Sequence, residues 1–238
     1  MKKYFLNPYI GKKYKEGING KRVLVLGASF YCPFDGSKGR EKCEYYEDCA
    51  INQNSIKYNE ICPHNNGRLL SDSAEGEIDE DGAISYTRFC HFMSWVRSKF
   101  STESFNEFWN KVAFTNYVQH MIGGRTTTSP SDVREEYFEM FVSVLDDFEK
   151  KHGLPVPDVV IVWGCVIDKP LKNHTIPGHS DCRVEIDDDK DGYIFEWKNF
   201  CGKDIVFINI YHPSSGKFYT DAEWNKMYPY FKDIFNLD

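Results

Sequence analysis

Four short runs of apolar residues constrain this chain more than any other feature. They are Val23-Leu24-Val25-Leu26, "KVAFTNYVQ" at 111–119, "DVVIVWG" at 158–164 and "DIVFINIYHPSSG" at 204–216. The first has no polar alternation at all, the pattern of a strand buried on both faces, as in a parallel sheet. Helical periodicity fills the stretches between. Phe89, Phe92, Met93 and Val96 recur at helical spacing between 86 and 100. Ser104 and Glu107 form a capping box ahead of Phe105, Phe108 and Trp109. Ser131 or Asp132 caps a helix from Val133 to Lys151 with Tyr137, Phe138, Phe141, Leu145 and Phe148 on one face, and Asp221 caps a last helix carrying Trp224, Tyr228, Tyr230 and Phe231. Strands alternating with helices predict an α/β fold whose parallel sheet is covered on both faces.

With 238 residues the chain suits one large domain or two small ones. It shows no internal repeat and no linker, so a single domain over 1–238 is expected. Residues 1–20 read as an N-terminal arm. Residues 32–83, rich in Gly, Asn, Asp, Ser and Cys, read as a loop-rich insertion that includes the acidic run "SAEGEIDEDGA". A hairpin at the sheet edge is expected around "GYIFEW". Aromatic residues reach 16%, which predicts rings at the surface or lining a cleft.

The net charge is −7. That counts against a protein whose affinity comes from neutralising many phosphates, although a local basic strip can act alone. The one basic region is "KKYFLNPYIGKKYKEGINGKR", with seven Lys or Arg and one Glu. No apolar run approaches the ~20 residues that span a bilayer, and Lys2-Lys3 are followed by no signal-peptide core. A cytoplasmic chain without a membrane partner is expected, its eight cysteines serving as thiols or metal ligands rather than disulfides.

The four runs end in "LGASFY", "FTNY", "VWGC" and "YHPSS". In open parallel sheets such ends gather along one edge, where ligands bind. In this order they resemble the motifs of the uracil-DNA glycosylase superfamily. Tyr31 falls where the water-activating motif has its tyrosine, and Phe114-Thr115-Asn116 is similar to the strand ending in the asparagine that reads the base. Val162-Trp163-Gly164 resembles the family's Trp-Gly strand end, and His212-Pro213-Ser214-Ser215 resembles its His-Pro-Ser signature. The chain also resembles a divergent bacterial group of glycosylase-like proteins in which a Gly-x-Ser-aromatic-Tyr turn replaces the first motif. The resemblance covers roughly residues 20–235. It implies a three-layer α/β/α domain with a central four-stranded, mainly parallel sheet, a DNA or nucleotide partner, and a monomer. In one respect the sequence departs from the family: neutral Ser29 stands where the first motif has an aspartate.

The chemistry so implied is cleavage of the N-glycosidic bond of uracil or a damaged base in DNA, with no cofactor required. The base leaves the stack and enters a pocket, and prearranged donors stabilise charge on the departing base. Asn116 offers one acceptor and two donors to a pyrimidine edge. His212 donates to the carbonyl where charge accumulates, a backbone N–H of Ala28 or Ser29 adds a donor, and Tyr31 forms a wall. Phe30 or Phe89 stacks on the base, and Ser214 and Ser215 hold a phosphate. Ser29 and His212 are the catalytic candidates. The same residues fit a catalytically inactive nucleic-acid or nucleotide binder, since Ser29 carries no charge. They also fit a hydrolase with Ser29 as nucleophile, although Tyr31 replaces the last glycine of the Gly-x-Ser-x-Gly elbow. Read separately, Asn116 and His212 are equally compatible with strand-end and turn structure. Cys32, Cys43, Cys49 and Cys62 are candidate ligands of a structural zinc that would order the loop-rich stretch, or else reduced, partly buried thiols. Cys90, Cys165, Cys182 and Cys201 are expected mostly in the core.

Overall fold

The computed structural model describes residues 7–31, 84–97, 105–119, 121–122, 128–173, 175–186, 193–218 and 220–237. Its strands are β1 (Tyr9–Ile10), β2 (Val23–Gly27), β3 (Phe30–Tyr31), β4 (Val112–Asn116), β5 (Met121–Ile122), β6 (Val159–Trp163), β7 (Arg183–Ile186), β8 (Ile194–Phe200) and β9 (Lys203–Ile210). Its helices are α1 (Ile84–Arg97), α2 (Phe105–Asn110), α3 (Glu135–Lys150), the single turn α4 (Asp168–Leu171) and α5 (Asp221–Ile234).

The main sheet has seven strands in the order β1-β4-β2-β6-β9-β8-β7. The four apolar runs form its parallel centre, β4-β2-β6-β9. The expected four-stranded sheet is therefore corrected to a mixed, seven-stranded one. Antiparallel β1 extends one edge, and the antiparallel β7–β8 pair extends the other. The hairpin at "GYIFEW" belongs to that second edge. Residues 9–20, expected as an arm, pack instead: Tyr14 and Ile18 are buried, and Tyr14 Oη donates to Pro155 O at 3.2 Å. The lysines made this stretch look solvated, but its aromatic and branched residues take the inner side.

Side chains alternate across the sheet, as the period of two requires. Leu24, Leu26, Val160, Val162 and Phe207 pack with α3 on one face. Val23, Val25, Val159, Ile161 and Ile208 pack with α1, α2 and α5 on the other. Among the described residues the aromatic rings mostly fill these cores rather than the surface. Phe92 alone meets Phe218, Trp224 and Phe231 edge-on at 5.0–5.4 Å. At the opposite, amino edge of the sheet, Asp158 accepts from Arg22 Nε at 2.5 Å, Arg22 Nη2 at 2.6 Å and Lys203 Nζ at 2.8 Å. This network ties together the starts of β2, β6 and β9. No helix among the described residues is long and apolar enough to cross a membrane.

Candidate functional site

The site is built from the carboxyl ends of the four parallel strands. Register aligns Gly27 with Asn116 and Trp163 with Ile210 as the last residues of their strands. Just beyond these ends lies a cavity of about 580 Å3. Ala28 and Ser29 follow β2 into its wall, Asn116 closes β4, Trp163 to Val166 leave β6, and His212, Ser214 and Ser215 follow β9. Of the residues singled out in the sequence, Ala28, Ser29, Asn116, His212, Ser214 and Ser215 thus share one cavity although they come from three distant segments.

Two glycines shape this edge for different reasons. A Cβ on Gly27 would lie 2.0 Å from Asn116 Oδ1, so the missing side chain is the space the carboxamide occupies. Gly164 has room for a Cβ, with only His212 Cβ at 3.8 Å, but its φ of +98° suits glycine alone. That conformation turns the chain out of β6 while Gly164 N donates to Ile210 O at 2.8 Å.

Asn116 is 1% exposed, and its Nδ2 has no hydrogen-bond partner among the described residues. A buried, unmatched amide costs about 1–3 kcal/mol, a deficit that an acceptor on a ligand removes. Trp163 Nε1 is likewise buried without a partner among those residues. His212 is positioned by its own turn. Ser214 N donates to His212 Nδ1 at 3.2 Å, Ser214 Oγ lies 2.7 Å from the same nitrogen, and Ser215 N donates to His212 O at 2.7 Å. With Nδ1 accepting an N–H, the neutral ring carries its hydrogen on Nε2. Enclosure of the ring, edge-on to Trp163 at 5.7 Å, pushes the His212 pKa down to about 4. At neutral pH His212 is therefore an uncharged donor.

Ser29 is buried, and its Oγ lies 2.5 Å from Thr128 Oγ1. No Asp, Glu, Lys or Arg lines the cavity among the described residues; its walls are hydroxyl, amide, imidazole, indole, phenol, thiol and aliphatic groups. Such a lining suits a flat, neutral, polar heterocycle, and the volume lies within the usual range for small-molecule sites.

One expectation is revised here. Phe89 is fully buried, packed against Phe108 at 5.8 Å and Trp163 at 5.1 Å, so it has no open face for stacking on a base. Tyr86, about one helical turn earlier, lines the cavity instead, held against Phe114 at 5.2 Å and Trp163 at 5.5 Å. Ser214 and Ser215, expected to hold a phosphate, line the cavity, with Ser214 Oγ toward His212 Nδ1 and Ser215 Oγ accepting from Lys217 N at 3.2 Å, which leaves the Ser215 O–H able to donate. Phe30 and Tyr31 form β3, which pairs in parallel with Met121 and Ile122. Cys32, Cys43, Cys49 and Cys62 lie outside the described residues. Of the remaining cysteines, Cys90 and Cys182 are buried, whereas Cys165 and Cys201 are exposed.

Sequence reasoning did not select Ser85, Tyr86, Thr128 or Cys165, which also line the cavity. Cys165 was within reach, because it directly follows the quoted Trp-Gly strand end. Thr128 had no local signal; its contact with Ser29 spans 99 residues. No protein-family model matches the chain, and no curated protein matches it in sequence.

Proposed function

We propose that this chain is a divergent uracil-DNA glycosylase-like protein that receives a nucleobase, extruded from DNA or free, in the cavity at its strand ends. The observation that carries the reading is the meeting, among the described residues, of a buried Asn116 Nδ2 without a partner and a neutral His212 donor in a cavity that no charged side chain lines. Asn116 supplies donors to a pyrimidine edge. His212 Nε2–H donates to a base carbonyl, and Tyr86 with Trp163 forms the aromatic wall. Hydrolysis would break the bond between C1′ and the base nitrogen, add the water oxygen to C1′, and return the water's proton to the departing base. Neutral His212 stabilises negative charge on that base without having to be deprotonated first.

A second reading is a binder without turnover. It is favoured by the lack of charge in the lining among the described residues, because the Ser29–Thr128 hydroxyl pair offers no anion to a cationic sugar. Incubating the protein with uracil-containing single- and double-stranded oligonucleotides separates the two. Cleavage that Asn116→Ala and His212→Ala each reduce by about 10-fold or more, the worth of one good hydrogen bond to a developing charge, supports the enzyme. Uracil-dependent binding without cleavage selects the binder. Absence of both cleavage and uracil-dependent binding overturns the whole reading.

A further inference from the structure

We propose that Asp146, His179 and Cys201, gathered at the amino edge of the sheet, form a site for one zinc-class divalent cation that clamps three separate segments of the chain. Asp146 lies near the end of α3, His179 in the connection between α4 and β7, and Cys201 in the turn between β8 and β9. One ligand atom from each lies within 4.8 Å of the other two. Carboxylate, imidazole and thiol together are the donor set of a borderline-soft ion such as Zn2+, and a poor one for Mg2+ or Ca2+.

The geometry is close to what that ion needs. Zinc bonds of about 2.0–2.3 Å at tetrahedral angles put neighbouring ligand atoms about 3.4–3.6 Å apart. His179 Nε2 lies 3.0 Å from Asp146 Oδ1, and Cys201 Sγ lies 3.6 Å from the same oxygen. Shifts of about half an ångström at that oxygen, and closure of the sulfur toward the imidazole, admit the ion. Two of the three ligands are already held from behind. Asp146 is 1% exposed, and its other oxygen, Oδ2, accepts from Lys150 Nζ at 2.9 Å, the kind of outer-shell bond that orients a ligating carboxylate. The His179 ring stacks on Phe200 with centroids 4.1 Å apart. Cys201 is exposed, which leaves the fourth position to water.

This site is separate from the cavity. Cys201 precedes β9, and His212 follows it; eight strand residues between them span about 26 Å. The ion would therefore act on stability rather than on the chemistry at His212, and the inference does not depend on the proposed function.

Co2+ is the probe, added to the full-length chain after removal of metal with a chelator. The expected result is one equivalent bound, with a thiolate-to-cobalt charge-transfer band and visible bands of tetrahedral intensity, all displaced by Zn2+. Cys201→Ser should abolish the charge-transfer band. Cys201→Ser and His179→Gln should each weaken Zn2+ binding by about 10- to 100-fold or more, at least the loss typical of an outer-shell change, with unchanged far-UV circular dichroism. Zn2+ should raise the melting temperature of the parent chain and not that of Cys201→Ser. Failure to bind one equivalent overturns the proposal. So does a charge-transfer band that survives Cys201→Ser, since it would place the ion on others of the eight cysteines.

Discussion

Gly27 offers the sharpest test of how the cavity is built. In Gly27→Ala the new Cβ would lie 2.0 Å from Asn116 Oδ1 and 3.2 Å from its Cγ. Contacts below 3.0 Å do not persist, so the carboxamide must retreat by about 1 Å from the place where it lines the cavity. Overpacking of this kind costs about 1–3 kcal/mol. Alanine recovers about 0.4–1 kcal/mol by narrowing the unfolded ensemble, which leaves a net loss of up to about 2.6 kcal/mol. The cause is testable by a double-mutant cycle. In an Asn116→Ala background the clashing Oδ1 and Cγ are gone, and the remaining close atom is Phe114 Cζ at 3.1 Å. There Gly27→Ala should be neutral within about 0.5 kcal/mol, giving a coupling well above the additivity error of about 0.3–0.5 kcal/mol. Urea unfolding followed by tryptophan fluorescence on the four proteins measures it, provided the m-values agree. An equal cost of Gly27→Ala in both backgrounds would refute the claim that this glycine exists to seat Asn116.

Two further predictions concern pH. The His212 pKa is lowered to about 4 in the folded chain, whereas an unfolded imidazole titrates near 6.5. Above pH 6.5 the group contributes no pH dependence. As pH falls from 6.5 to 4, only the unfolded state takes the proton, so stability declines. Thermal melts at pH 7.5 and 4.5 should show a larger loss for the parent than for His212→Gln; burial lowers His152 in the same sense, but equally in both proteins. Burial alone would raise the Asp158 pKa, yet hydrogen bonds from Arg22 and Lys203 prevail and hold it at about 2. Its stabilising contribution is thus complete above pH 4 and is lost as pH falls through 2. Asp158→Asn should cost about 2–3 kcal/mol at pH 7, the worth of hydrogen bonds to a charged group, and clearly less at pH 2 in the same urea assay.

How much the sequence discloses varies with the kind of signal each part requires. The parallel centre was legible because strands buried on both faces read as unbroken apolar runs, as Val23 to Leu26 do. The edge strands were not, because they are short or covered on one face only: β7 alternates one buried residue with exposed ones, and β1 is two residues long. Asn116 and His212 were legible because each closes or directly follows such a run. Phe89 was a candidate beside Phe30, and Tyr86 was not, because helical periodicity identifies the inward face, not which turn along it meets the cavity. Thr220, whose hydroxyl accepts from Glu223 N at 3.2 Å, caps α5 in place of the expected Asp221. Asp146 reads as one of six acidic residues on an amphipathic helix, and only the folded chain brings it to His179 and Cys201.

The central claim is that Asn116 and His212 present N–H donors to a base in one cavity. Nitrogen-15 NMR of the Asn116 side-chain amide and the His212 imidazole, assigned with the Asn116→Ala and His212→Gln variants, tests it while 2′-deoxyuridine is titrated in. The account predicts that both signals move together and saturate at one equivalent, with Nε2 remaining protonated and Nδ1 bare at pH 7. Resonances that stay fixed while ligand is in excess, or a doubly protonated His212 ring at that pH, would contradict it.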